Sequence, residues 1–286
     1  MTESFDTALS SDCTRLPNIY TGVEKLNAAS LLSTSGPSKR DELPSPINVA
    51  DLSGVMHSMR SILEAKDPDF ARLSVFYRHA STETLTIDRL FSELCWIVYS
   101  SGFKHDILMR RWPGISRAFS NFEVRKVAEG SCNQPNYANQ ICRQANFNNL
   151  AKASWCLFNA HRILELEHDM AESGGIQGYF TTLNCQSAVD IIRIVPDIMA
   201  ALRFKGIGQV TIFHLLKNVG IDIFKPDIHV CRILARLGIT RSEHDSIGRV
   251  CCAMELLSRS SGMSLCELDT LLFCFGKLGA DLPTPT

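Results

Sequence analysis

Apolar residues recur at helical spacing along most of this 286-residue chain, and no segment alternates polar and apolar with the period of two that a half-buried strand requires. In STETLTIDRLFSELCWIVYSSGF, Ile87, Leu90, Phe91, Leu94 and Val98 fall at i, i+3, i+4, i+7 and i+11, one apolar face of a helix that ends near Gly102. DLSGVMHSMRSILEAKD places Val55, Met59, Ile62 and Leu63 in the same way and stops at Asp67-Pro68. Further helices are expected at about 103–111 and 115–129, from Asn148 to the stop at Gly174-Gly175, at about 185–193 and 196–203, and twice within 241–286. A Cys/Asn/Gln-rich loop is expected at 130–147. The fold class is therefore all-α. Residues 1–50 differ: the Ser/Thr/Pro clusters of LLSTSGPSKRDELPSPIN have no sustained period and read as a flexible or loosely packed extension before a helical domain at 51–286.

A hydrophobic fraction of 45% with 21% charged residues excludes a chain that is disordered throughout. No apolar run approaches the roughly 18 to 20 residues that span a bilayer, and the N-terminus lacks a basic segment followed by an apolar one. The expectation is a cytoplasmic protein with no membrane partner. Eleven cysteines, many inside apolar helical runs such as ELCWIV and ASWCLF, read as reduced, buried thiols. Cys251, Cys252, Cys266 and Cys274 fall late in the chain but lack the CxxC spacing of metal and cluster sites, so neither metal nor cofactor is expected.

The segment richest in chemistry is LRFKGIGQVTIFHLL at 202–216. Leu202, Ile207, Leu215 and Leu216 are apolar anchors around the turn Lys205-Gly206-Ile207-Gly208. Two glycines separated by one apolar residue let the backbone turn sharply just before a helix, with bare N–H groups facing outward. Such a turn either joins two packed helices or receives a phosphate at the helix N-terminus. It is followed by NVGIDIFKPDIHVCRILARLG, where Pro226-Asp227 opens a helix with Val230, Ile233, Leu234 and Leu237 on its apolar face and Gly238 at its end. Asp227 serves there either as a helix cap or as a carboxylate for chemistry.

The run L-x-x-x-G-I-G-x-x-T from Leu202 to Thr211, followed by D-x-H-V-x-R at Asp227, His229, Val230 and Arg232, resembles the signature of the helix-hairpin-helix DNA glycosylases. The resemblance implies a two-subdomain helical bundle with a DNA-binding cleft between the subdomains and the working segment at 200–238. It implies a phosphate grip by Lys205, Gly206, Ile207, Gly208, Gln209 and Thr211, with Asp227 catalytic and His229 and Arg232 as supporting residues. Upstream, residues 89–129 together with Lys152 and Asn159-Ala160 are similar to the helical half of 3-methyladenine DNA glycosylase I, with Leu90, Phe91, Cys95, Gly102 and Phe119 on matching positions.

Two departures from these patterns shape the expectation. Ile97 stands where that enzyme has a pocket glutamate, and Val210 stands where the bifunctional glycosylase/lyases place a Schiff-base lysine. A valine has no amine to attack C1′, so the resemblance implies a monofunctional enzyme that cuts the N-glycosidic bond of a flipped base and leaves the strand intact. Tyr99, Trp112, Phe147, Lys152 and Trp155 are the candidate base pocket, with core packing as the alternative for aromatics at helical spacing. The expected partner is duplex DNA with a damaged or modified base, an alkylated purine or a modified viral base, met by a monomer working with the chromosome in the nucleoid. The alternative is a non-catalytic helix-hairpin-helix DNA-binding protein.

Charge is consistent with that partner once it is located. The whole chain carries 29 basic against 30 acidic residues, a net of −1. Residues 202–241 hold seven Lys and Arg against Asp222 and Asp227, a local +5, and residues 104–126 hold six against two, a local +4. These two segments leave −10 for the rest of the chain, so a neutral total conceals basic segments of the kind that neutralise phosphates.

Overall fold

The computed structural model describes residues 49–67, 70–71, 73–75 and 81–283. The expected extension at 1–50 lies outside the described residues as far as residue 48. The described residues are all-helical, with no strand among them. The helices, numbered in chain order, are α1 (Val49–Lys66), α2 (Ile87–Ser100), α3 (His105–Ala118), α4 (Val124–Asn133), α5 (Tyr137–Gln144) and α6 (Leu150–Asp169). They continue with α7 (Gly175–Asn184), α8 (Ala188–Leu202), α9 (Thr211–Asn218), α10 (Ile228–Arg236), α11 (Ile247–Ser261) and α12 (Leu265–Leu278). No helix among the described residues is long and apolar enough to cross a membrane.

Side-chain caps set many of the boundaries. Thr86, Asn149, Ser187 and Ser246 each accept a hydrogen bond from the backbone N–H three residues on, and Ser264 forms a reciprocal capping box with Glu267. α11 and α12 end on the left-handed glycines Gly262 and Gly279.

Two hydrophobic cores form. One gathers residues between Leu85 and Ile223, where α6 packs against α2, α4 and α5. The other joins the start of the described chain to its end: Leu52, Met56, Met59 and Leu63 of α1 pack with Val230, Leu234, Met254, Leu268 and Phe275 of α10, α11 and α12. Ile192 of α8 touches both cores, and the chain passes from the first to the second between Ile223 and Phe224, three residues before Asp227.

Several expected boundaries differ from the structure. The helix expected at about 115–129 is interrupted after Ala118, where Ser120, Asn121 and Phe122 take positive φ before α4 begins, and the helix expected to reach Gly174 ends at Asp169. α3 runs through Pro113 and α8 runs through Pro196, where breaks were expected. A proline inside a helix costs about 3 kcal/mol. In α8 the buried stripe Ile191, Val195, Ile198 and Leu202 continues across the proline, and burial of that stripe outweighs the lost N–H bond. In the stretch expected as loop, α5 forms because Ile141, Cys142, Ala145 and Phe147 are buried in the first core, an apolar face hidden by surrounding Asn and Gln.

Candidate functional site

α8 ends where Arg203 takes a left-handed conformation (φ 55°), and the chain turns through 203–210 into α9. α6 holds this turn. Buried Asn159 accepts the Lys205 N–H on Oδ1 at 2.7 Å and donates from Nδ2 to the Lys205 carbonyl at 3.0 Å. Arg162, one turn along, donates from Nε to the Leu202 carbonyl at 3.1 Å and from Nη2 to the Ala201 carbonyl at 2.9 Å, satisfying carbonyls that the end of α8 leaves without partners. Gly206 sits at φ +76°, and a Cβ there would lie 2.8 Å from Cε3 of Trp155 and 3.1 Å from Cγ2 of Val98, so only glycine fits. The Thr211 hydroxyl accepts the Gly208 N–H at 2.6 Å and donates to the Gly208 carbonyl at 3.1 Å. The Gly208 amide is thus used inside the turn. The Gln209 and Val210 amides have no acceptor among the described residues, and they open onto the positive end of α9. The exposed Lys205 carries its Nζ 5.3 Å from the centre of the Phe158 ring.

Asp227 caps α10. Its Oδ1 accepts the N–H groups of His229 at 2.9 Å and Val230 at 3.1 Å. Its Oδ2 has only Lys225 nearby, at 3.7 Å, and the side chain is 13% exposed. One carboxylate oxygen is therefore spent on the helix, and the other faces the Lys225 ammonium. His229 packs its Cβ side against Gly276 and its ring edge-on to Phe273, 5.5 Å between centroids. Arg232 pairs through Nε with Glu243 at 2.6 Å. His229, Arg232, Arg236, Glu243 and Gly276 line a surface pocket along α10, and Asp227 is not among its lining residues.

Beneath the Asp227 loop lies a buried polar cluster that sequence reasoning did not single out. Lys217 of α9 pairs with Asp269 of α12, both nearly inaccessible, and Lys217 also reaches the Thr270 hydroxyl at 3.3 Å. Asp269 Oδ1 accepts the Lys225 N–H at 3.0 Å. Burial pushes the Asp269 carboxyl up against the pull of Lys217. Burial, reinforced by Lys225 and then Lys217, holds the His214 imidazole down at about 3, so this ring stays neutral. Lys217 was counted with the basic segment at 202–241, but it is buried and compensated, so that charge does not reach the surface. Glu93 of α2 is a second acid in the interior: burial raises it while the Asn218 amide, 2.8 Å away, and Arg89 oppose the rise.

Tyr99, Phe147 and Lys152 come together. The Tyr99 and Phe147 rings meet edge to face at 5.3 Å, and Phe103, at an exposed turn after α2, packs on Phe147 at 4.9 Å. Lys152 donates from Nζ to the carbonyls of Val98 and of Ser101, the latter at 2.9 Å, and lies 5.5 Å from the Phe103 ring centre. Burial lowers the Lys152 ammonium and raises the Tyr99 phenol. Tyr99 is fully buried, and its hydroxyl has no hydrogen-bond partner among the described residues. Trp112 lies apart, between Trp96 and Phe122. Trp155 is 40% exposed and belongs to the hairpin through its contact with Gly206. Ile97 is buried in the first core.

Among the described residues no group of three or more His, Cys, Asp or Glu is arranged to hold a metal ion. Cys251, Cys266 and Cys274 are buried and Cys252 is exposed. Burial pushes the thiols of Cys251, Cys266 and Cys274 up to about 12, and the Cys266 thiol donates to the Ile221 and Ile223 carbonyls. Compared with known proteins, the chain matches no family model, no curated protein and no solved structure.

Proposed function

We propose that this protein is a monofunctional DNA glycosylase, which flips a damaged or modified base out of duplex DNA and hydrolyses its N-glycosidic bond. The observation that carries the reading is the occurrence together of a glycine hairpin with open Gln209 and Val210 amides and a helix-capping Asp227 whose second carboxylate oxygen is not used by the cap and faces the Lys225 ammonium. The hairpin amides, the α9 terminus and Lys205 suit a DNA phosphate. The two hydrophobic cores, with the chain crossing between them just before Asp227, suit a two-subdomain bundle with the DNA cleft at their junction.

Departure of the base builds positive charge on the deoxyribose, as in glycoside hydrolysis. Asp227 Oδ2 stabilises that charge and orients the water that attacks C1′. The C1′–N bond breaks with its electron pair on the base nitrogen, the water oxygen bonds to C1′, and the proton that the water loses is accepted by Asp227 Oδ2 and passed on to the departing base. Val210 stands where the lyases carry their amine, and the Lys225 ammonium near Asp227 is paired with that carboxylate, so an abasic site in an intact strand is the product. The extruded base stacks on the exposed Phe103, behind which the Phe147 and buried Tyr99 rings are packed. The partner is duplex DNA, met by a monomer working with the chromosome in the cytoplasm.

A second reading, a non-catalytic DNA-holding module, is favoured by the two cap bonds of Asp227 Oδ1, which already give this residue a structural task. The two readings separate when the protein is incubated with duplexes carrying 3-methyladenine or other modified bases and with modified viral DNAs. The enzyme releases free base and leaves alkali-labile sites in at least one of them. The module binds them all and releases nothing.

A further inference from the structure

Asp227 sits on a short irregular segment between α9 and α10, and what fixes that segment is the buried cluster beneath it. The Lys225 peptide is held at both ends: its N–H donates to Asp269 Oδ1 at 3.0 Å, and its carbonyl accepts the Asp227 N–H at 2.7 Å. Asp269 is in turn clamped by Lys217, which lies on the helix that the hairpin opens. Lys217 and Asp269 are 4% and 3% exposed. An ion pair buried so deeply is a poor source of stability compared with apolar packing of the same volume. What it supplies is direction, a charged acceptor aimed at one peptide N–H two residues before Asp227.

We propose that Lys217 and Asp269 are positioning residues, a buried clamp that ties the Lys225-Pro226-Asp227 segment to α9 and so sets Asp227 relative to the hairpin. Phosphate grip and carboxylate are then one rigid unit: DNA held at 206–211 finds Asp227 at a set place. The inference rests on the glycosylase reading for its consequence in catalysis, and on geometry alone for the clamp. Misplacement of a reacting group by about 1 Å costs on the order of 100-fold in rate without a matching loss of binding.

The test uses the full chain with Asp269→Asn, which leaves Lys217 uncompensated, and with the double substitution Lys217→Met/Asp269→Leu, which replaces both charges by apolar groups and keeps the protein foldable. Three quantities are read: hydrogen exchange of the Lys225 amide together with the 13C shift of the Asp227 carboxyl, DNA affinity, and single-turnover base excision. The clamp predicts Lys225 exchange faster by about tenfold or more and a moved Asp227 carboxyl signal. It also predicts excision slower by about 10- to 100-fold, with Kd for DNA within about threefold and no rescue at saturating DNA. A double variant with Lys225 exchange and the Asp227 signal unchanged overturns the clamp, whether or not any DNA is cut. Excision at the wild-type rate in a variant whose Lys225 amide exchanges freely overturns the positioning role, as does a loss of rate matched by an equal loss of binding. A wild-type protein that releases no base from any DNA overturns the glycosylase reading, while the exchange and 13C readouts still decide the clamp.

Discussion

Asn159 holds the Lys205 peptide from both sides, its Oδ1 accepting the N–H at 2.7 Å and its Nδ2 donating to the carbonyl at 3.0 Å. A side chain on the long helix α6 thereby makes both hydrogen bonds of the residue that opens the glycine turn, 46 positions along the chain. Replacing Asn159 by Leu removes the partners of a part-buried N–H and C=O, at a cost of about 1–3 kcal/mol for the pair. Denaturant unfolding is expected to show a loss in that range, and DNA affinity is expected to fall with it because the turn loses its fixed shape. Asn159→Asp keeps the acceptor for the N–H but turns a carboxylate oxygen toward the Lys205 carbonyl in a buried site, so it is expected to lose at least as much as Leu in both measurements.

Gly206 and Trp155 make a second prediction. Gly206→Ala places a methyl 2.8 Å from the indole in a left-handed backbone conformation, with a cost of about 1–3 kcal/mol. A double-mutant cycle with Trp155→Ala is expected to recover the part due to the clash and to leave the part due to φ. Full additivity would mean that the indole does not shape the turn.

Lys205 is exposed at the mouth of the hairpin. Lys205→Ala is expected to weaken DNA binding alike across sequences and to reduce the slope of log K against log salt by about one, measured by fluorescence titration. An unchanged slope would place the phosphate elsewhere.

His214 gives a pH dependence whose sign is set by burial. Its imidazole is held down at about 3, against about 6.5 in an unfolded chain. Between those values the unfolded state binds a proton that the folded state refuses, so stability is complete above about pH 6.5 and is lost as pH falls toward about 3. Each unit of the shift is worth about 1.4 kcal/mol at its limit. His214→Gln is expected to flatten this acid limb in melts taken at a series of pH values, and an unaltered limb would assign the loss to other groups.

The helical architecture was legible because apolar residues at i, i+3, i+4 and i+7 mark most of the helices directly, as in α2. α5 escaped because its apolar face of Ile141 and Cys142 is two residues wide and bordered by Asn and Gln. The breaks expected at Pro113 and Pro196 did not occur, because a local penalty was outweighed by a buried stripe that only the packed structure reveals. The glycine turn and Asp227 were legible from a local pattern. The groups that hold them were not: Asn159 reaches across 46 residues to Lys205, and Lys217 across 52 to Asp269. Nothing in local spacing ties such pairs together, and a lone Lys or Asp on a helix reads as solvent-facing until the partner helix is in place.

If Asp227 Oδ2 supports base excision, Asp227→Asn removes the charge that does so and little else. The Asn side-chain oxygen still accepts the His229 and Val230 N–H groups, so the cap survives and stability is expected to stay within about 0.5 kcal/mol, whereas Asp227→Ala loses about 1 kcal/mol. The decisive measurement is single-turnover release of base from duplexes that each carry one modified base, with wild type and Asp227→Asn side by side. Abasic sites are expected from at least one duplex with wild type, and a rate lower by about 100- to 1,000-fold in Asp227→Asn at unchanged DNA affinity. Excision by Asp227→Asn at the wild-type rate, or binding by wild type with no base released from any duplex, would contradict that role of Asp227.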